Sequence, residues 1–137
     1  MAKASNKVAI ITGSATGVGA AAAHQLAQRG CNVVINCTKS VAEAEDTAKQ
    51  CRAAGVEAIV VQADVSDDDA CRGMAQAALD AWGRIDYLIN NAARTKFNPY
   101  EDLEGLNKQD FLDIYAVNVV GAYQMIRAVE PHMRALG

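Results

Sequence analysis

Apolar residues recur along this chain in two alternating rhythms. Short runs rich in β-branched residues, at Val8–Ile11, Asn32–Cys37, 57–62 and 87–90, read as strands. Between them, 18–29, 41–54 and 66–82 carry apolar residues at helical spacing among Ala, Glu, Lys and Gln, and a last helical segment fills 108–137. Gly30, Gly55 and Gly83 stand just past the first three helices, where a left-handed residue closes a helix. Ser66 followed by Asp67-Asp68-Asp69 predicts a helix start, with Ser66 as N-cap and the acids complementing the dipole. Met74, Ala78 and Trp82 would share that helix's buried side. Val33-Val34-Ile35 is a continuous apolar run of the kind buried on both faces of a sheet. Strand and helix in strict alternation imply right-handed crossovers and a parallel sheet, an α/β fold.

The last segment breaks the amphipathic pattern. From 114 to 126 it holds no charged residue, so it is apolar almost all the way round. That run is shorter than the ~20 residues a membrane span needs, so the expectation is burial between the sheet and another helix or another subunit. Asn118 and Gln124 are its main polar interruptions, and a buried asparagine left unpaired costs roughly 1–3 kcal/mol. Asn118 is therefore expected to be buried and partnered, as a packing specifier or a functional group. Pro131 is expected to bend or fray the end of the helix.

The stretch at 7–22, K-V-A-I-I-T-G-S-A-T-G-V-G-A-A-A, runs strand, tight loop, helix. Gly13, Gly17 and Gly19 let the backbone turn and come close to a ligand. The first amides of the helix beginning near Gly17 have no intrahelical partner and lie at the positive end of the helix dipole, which suits a phosphate. Residues 17–22 fit G-x-G-x-x-A, a loose form of the dinucleotide fingerprint.

Composition narrows the field without adding chemistry. At 137 residues the chain has room for one sizeable core and a single domain. A net charge of −3 with scattered basic residues gives no electrostatic case for nucleic acid, and no apolar run reaches the ~18 residues of a membrane helix. The polar lead at 2–6 lacks a signal-peptide core, so a cytoplasmic location is expected. The four cysteines lie apart with no C-x-x-C, and only His24 and His132 could join them. No metal site or disulfide framework is expected; the thiols read as small core residues and His24 as solvent-facing.

Candidate chemistry gathers at the strand ends, where open parallel sheets bind ligands. About 20 residues past the glycines an acid would hold the ribose 2′-hydroxyl of NAD. The sequence there is Asn36-Cys37-Thr38-Lys39-Ser40, without an acid. That favours NADP(H), with NAD(H) still possible, and Lys39 with Thr38 or Ser40 would meet the 2′-phosphate. Asp64, after the third strand, is placed to reach an adenine edge or to cap a local turn. Asn90-Asn91-Ala92-Ala93 can fix a loop by side-chain hydrogen bonds while leaving room for a ligand, and Arg94, Lys96 and Phe97 would overhang the same edge.

T-G-S-A-T-G-V-G at 12–19, A-D-V at 63–65, N-N-A at 90–92 and Y-A-V-N-V at 115–119 together resemble the short-chain dehydrogenase/reductase family. The resemblance covers essentially the whole chain. It implies a Rossmann-type doubly wound parallel sheet, truncated after the fourth strand and its long helix. It implies that Gly13, Ser14, Thr16, Gly17, Val18 and Gly19 hold the pyrophosphate and adjacent ribose, that Asp64 and Val65 border adenine, and that Asn91 and Ala92 line the cofactor ribose. Asn118 matches the family's catalytic asparagine, which holds a water in a proton relay. Ala93 departs from the usual N-N-A-G. The family's chemistry also needs a serine and a tyrosine followed at the fourth position by lysine, and here the residues in that position after Tyr87, Tyr100, Tyr115 and Tyr123 are Asn91, Glu104, Val119 and Arg127. Tyr123 with Arg127 reads as packing. The resemblance thus implies an amino-terminal cofactor-binding half at 1–137, acting on a small carbonyl or alcohol substrate when whole, inactive alone, and self-associating through the helix at 110–133.

Overall fold

The computed structural model describes residues 6–137; the rest of the polar lead, 1–5, lies outside them. The strands are β1 (Val8–Ile11), β2 (Asn32–Cys37), β3 (Ala58–Gln62) and β4 (Tyr87–Ile89). Helices α1 (Gly17–Gln28), α2 (Val41–Ala53) and α3 (Asp68–Trp82) separate them in turn, and α4 (Lys108–Tyr115) and α5 (Ala122–Ala135) follow. All four strands are parallel in one sheet of order β3-β2-β1-β4. Val8 stands opposite Asn32 and Ile11 opposite Ile35, while β4 joins the other side of β1 with Ile11 opposite Ile89. The chain therefore winds outward from β1 to β3 and then crosses back over to β4. Between β1 and β4 the winding reverses, which opens a crevice beyond the strands' carboxyl ends.

Alternation along β1 and β2 divides the core in two. Val8, Ile10 and Val34 pack with Met74, Ala78, Ile85, Met125 and Val129 under α3 and α5. Ala9, Ile11, Val33 and Ile35 face Ala23, Ala27, Ala44 and Ala48 of α1 and α2. The run predicted to be buried on both faces is buried on both, and so are all four cysteines. Small residues on α1 and α2 let those helices lie close to the sheet. Gly30 and Gly83 take positive φ at the ends of α1 and α3.

Several expectations need correction. The N-cap of α3 is Asp67, whose carboxylate accepts the amides of Asp69 and Ala70 at 3.0 and 3.3 Å. Ser66 is instead drawn backwards, its amide and hydroxyl both donating to Asp64 Oδ1 at 2.9 and 2.7 Å. The segment at 108–137 is not one α-helix: α4 and α5 are joined by a π-helical stretch, Ala116–Gly121, and α5 runs through Pro131 to Ala135. Finally, Asn118 is exposed and Gln124 is the buried polar residue, donating to the Val65 carbonyl at 2.7 Å. His24 is half-buried rather than solvent-facing.

Candidate functional site

A polar clamp ties the glycine loop to the strand ends. Thr12 is 1% exposed; its hydroxyl oxygen accepts the amides of Asn91 and Ala92 at 3.0 and 2.9 Å. Asn91 Nδ2 answers by donating to the carbonyls of Thr12 and Gly13. On the other side Asn36 Oδ1 accepts the Gly13 amide at 2.9 Å, and its Nδ2 donates to the carbonyls of Val61 and Ala63, both at 3.1 Å. One loop is thereby fastened to the ends of β1, β2, β3 and β4. Gly13 and Gly19 are obligatory here. A Cβ on Gly13 would lie 2.9 Å from Ala92 Cα, and one on Gly19 would lie 2.5 Å from the Gly13 carbonyl oxygen.

Above this clamp lies a cleft of about 510 Å³, within the range of small-molecule and cofactor sites. Gly13 forms its floor, Thr38 and Lys39 its β2 end, and Asp64 and Val65 the adjoining lip after β3. Asn91 and Ala92 line it after β4, with Ala93, Arg94 and Val117 closing the far wall. The remaining predicted residues fall outside the lining. Thr16, Gly17 and Val18 are exposed at the start of α1, where Thr16 is the N-cap but makes no side-chain capping bond. Among the described residues, the first-turn amides of α1 have no capping bond from the Thr16 side chain. Ser14 is wholly buried: its hydroxyl donates to the Ile11 carbonyl and accepts the Asn36 amide, so it braces the loop from beneath and presents no atom to a ligand. Gly19 is likewise buried.

Asn118, carried outward by the π stretch, stands beside the far wall. Its Oδ1 accepts the Arg94 amide at 2.7 Å and its Nδ2 donates to the Arg94 carbonyl at 3.0 Å. Sequence alone assigns no role to the side chains of Asn36 and Thr12. The available signal was a polar side chain at the end of a doubly buried strand, which must find partners inside the protein.

Electrostatically the cleft's two ends differ in kind. Lys39 is exposed and forms no ion pair among the described residues. At the other end, Arg94 Nη2 is 3.7 Å from Asp113 Oδ2, and Lys96 Nζ is bound at 2.9 Å to Asp110. The Lys96 ammonium, aided by the Asn107 amide, holds the Asp110 carboxyl below the usual carboxylate range. Arg127 is engaged elsewhere, pairing with Asp68 at 2.8 Å across to α3 and lying over the Tyr123 ring, so that Tyr123 with Arg127 is a packing pair. Cys71 is pushed up to about 11, first by burial and then by Asp68, so it is an inert core thiol.

A family model described as short chain dehydrogenase matches residues 7–136. The short-chain dehydrogenase/reductase homolog YusS of Bacillus subtilis is 43% identical over 99 residues, which are 72% of this chain and 91% of YusS. A solved metagenomic short-chain oxidoreductase in complex with NADP is 34% identical with a TM-score of 0.87, covering 96% of this chain and 58% of that one. NAD+-bound xylitol dehydrogenase is 30% identical, also with a TM-score of 0.87, over 98% of this chain and 50% of its own. The chain spans about half the length of its longer curated relatives, 51% and 52% of two that it matches nearly end to end.

Proposed function

Because this chain belongs to the short-chain dehydrogenase family, we propose that it carries the nucleotide-binding part of an oxidoreductase that moves hydride between NADP(H) and a small carbonyl or alcohol substrate. The observation that carries this reading is one cleft across four strand ends, with exposed Lys39 at the β2 end and no carboxylate among Asn36, Cys37, Thr38 and Ser40. In it, Gly13 and the first turn of α1 at Thr16, Gly17 and Val18 take the pyrophosphate, with Ser14 and Gly19 supporting the loop. Thr38 and Lys39 take the 2′-phosphate, Asp64 and Val65 border adenine, and Asn91 and Ala92 border the ribose. When bound, the nicotinamide supplies or receives the hydride. Asn118 takes the role of the family's catalytic asparagine and holds a water for proton transfer. We read 1–137 as one partial dinucleotide-binding domain acting in the cytoplasm.

Calorimetric titration of the purified chain with NADPH and NADH tests the reading. NADPH binds more tightly, and Lys39→Ala weakens NADPH by about three- to tenfold, the scale of one partly exposed charge-assisted contact, while NADH changes little. Equal losses for both dinucleotides would remove Lys39 from the 2′-phosphate. A second reading, a nucleotide-binding or subunit-pairing module without turnover, is favoured by the lack of a lysine at the fourth position after any tyrosine in 1–137. General acid–base groups contribute about 10²–10⁴-fold, so this chain alone is expected not to reduce carbonyls. Turnover proportional to its concentration would count against that expectation and against the module.

A further inference from the structure

We propose that Arg94 selects a substrate bearing a carboxylate next to its carbonyl or alcohol, a small oxo acid or hydroxy acid; this rests on the reading of the cleft as a nicotinamide dinucleotide site. Arg94 lines the wall of that cleft opposite Lys39. It follows β4 while Lys39 follows β2, and β1 lies between them, so two strand spacings of about 4.8 Å separate their roots. A cation at the β4 end is thus set apart from the one assigned to the adenosine phosphate, and it stands beside Asn118, the residue given the proton-relay role.

The backbone of Arg94 is fixed and its guanidinium is not. The Asn118 carboxamide grips both the amide and the carbonyl of Arg94, at 2.7 and 3.0 Å, which sets where the side chain departs. The side chain is 57% exposed, and its acidic neighbour Asp113 stands at 3.7 Å, well beyond the ~2.7–2.9 Å of a charge-assisted hydrogen bond. Asp113 is also engaged by Gln109, whose Nε2 donates to Oδ1 at 2.7 Å. A guanidinium with five donors and one long contact has the capacity for a bidentate carboxylate. Ala93 and Val117 flank it in the cleft and offer no competing acceptor side chain. A single carboxylate is favoured over a phosphate dianion because the neighbouring cation, Lys96, is already bound to Asp110.

Asp113 then acts as a weak internal counter-ion that an incoming carboxylate displaces. The two side chains should therefore shift affinity in opposite directions. The test is an amide-resolved magnetic resonance titration of the NADPH-saturated chain with pyruvate and 2-oxobutyrate, each against its methyl ester. The acids should give saturable shifts around Arg94 and Asn118, and the esters should bind at least about fivefold more weakly. Arg94→Gln should abolish that preference, Arg94→Lys should restore only part of it, and Asp113→Asn should tighten acid binding about twofold. NADPH affinity should be unchanged in all three variants. Acids and esters that bind alike, an absence of saturable acid shifts, or an Arg94→Gln chain that keeps the preference would overturn the assignment. So would a parallel loss of NADPH affinity in Arg94→Gln, which would make Arg94 a cofactor ligand. Failure of the parent chain to bind NADPH at all would instead overturn the reading of the cleft, and it is scored on the separate amides of Gly13 and Gly17.

Discussion

The carboxamide of Asn36 satisfies the Gly13 amide with its oxygen and the Val61 and Ala63 carbonyls with its nitrogen, at 1% exposure. A buried group using both of its ends in this way cannot be replaced by one that offers a single sense of hydrogen bond. Asn36→Ala should cost about 1–3 kcal/mol by leaving the Gly13 amide without its acceptor. Asn36→Asp should cost more at neutral pH, since a carboxylate would face two carbonyl oxygens in a dry setting. Urea unfolding of both variants checks this; equal midpoints for Asn36→Asp and wild type would refute it. The same residue shows how far the site could be read from sequence. Glycines, the lack of an acid after β2 and the asparagine pair after β4 declare themselves because they are residue types with few other uses. Asn36 and Thr12 do not, because their work is to join segments distant in sequence, 77 to 80 residues apart for the Thr12 bonds. Ser14 misleads for a related reason: a serine in a phosphate-type loop looks like a donor to ligand, whereas its hydroxyl is spent on Ile11 and Asn36.

Elements were legible where one periodicity dominates a whole segment. The β2 run and the glycine-ended α1 and α3 emerge from sequence within a residue or two, since double burial and left-handed glycine leave distinct marks. The α3 start falls one residue later than the sequence predicts because Ser66 and Asp67 are both good N-caps, and the choice is made by the turn that Asp64 closes on Ser66. Asp67→Ala should therefore cost about 1 kcal/mol, and Ser66→Ala clearly less, in thermal or urea unfolding. A larger loss at Ser66 would restore it as the cap. The π stretch was invisible for a different reason. Inserting a residue into a helix changes which side chains share a face, but in an almost uniformly apolar run every phase looks alike. At Gly121 the stretch meets Val65 so closely that a Cβ would sit 2.5 Å from the valine methyl, and Gln124 then anchors α5 to the Val65 carbonyl. The wider turn also carries Asn118 to the surface, where it holds Arg94 rather than packing in the core.

At the scale of the whole molecule, α5 packs against α3 and β4, with α4 continuing from it through the π stretch, and this segment leaves a row of apolar side chains in solvent. Tyr115, Val119, Tyr123 and Ile126 are each about half exposed along that row, and β4, whose one strand neighbour among the described residues is β1, is an edge. An exposed apolar stripe of this length marks an association surface, and an open edge adds to the tendency. The predicted arrangement is a homodimer or larger assembly built on 110–133, with Val119 near its centre. A two-fold interface would bring each copy's substitution in twice, so Val119→Asp should bury two unpaired carboxylates and weaken association by at least about tenfold. Sedimentation velocity of wild type and Val119→Asp across the micromolar range reads this out, with circular dichroism to verify that the variant stays folded. The helix-centred interface fails if wild type is monomeric throughout that range. It fails equally if a folded Val119→Asp chain sediments as wild type does, for then the copies meet elsewhere, and the β4 edge with its adjoining groove of Leu88, Val129 and Met133 becomes the surface to substitute next.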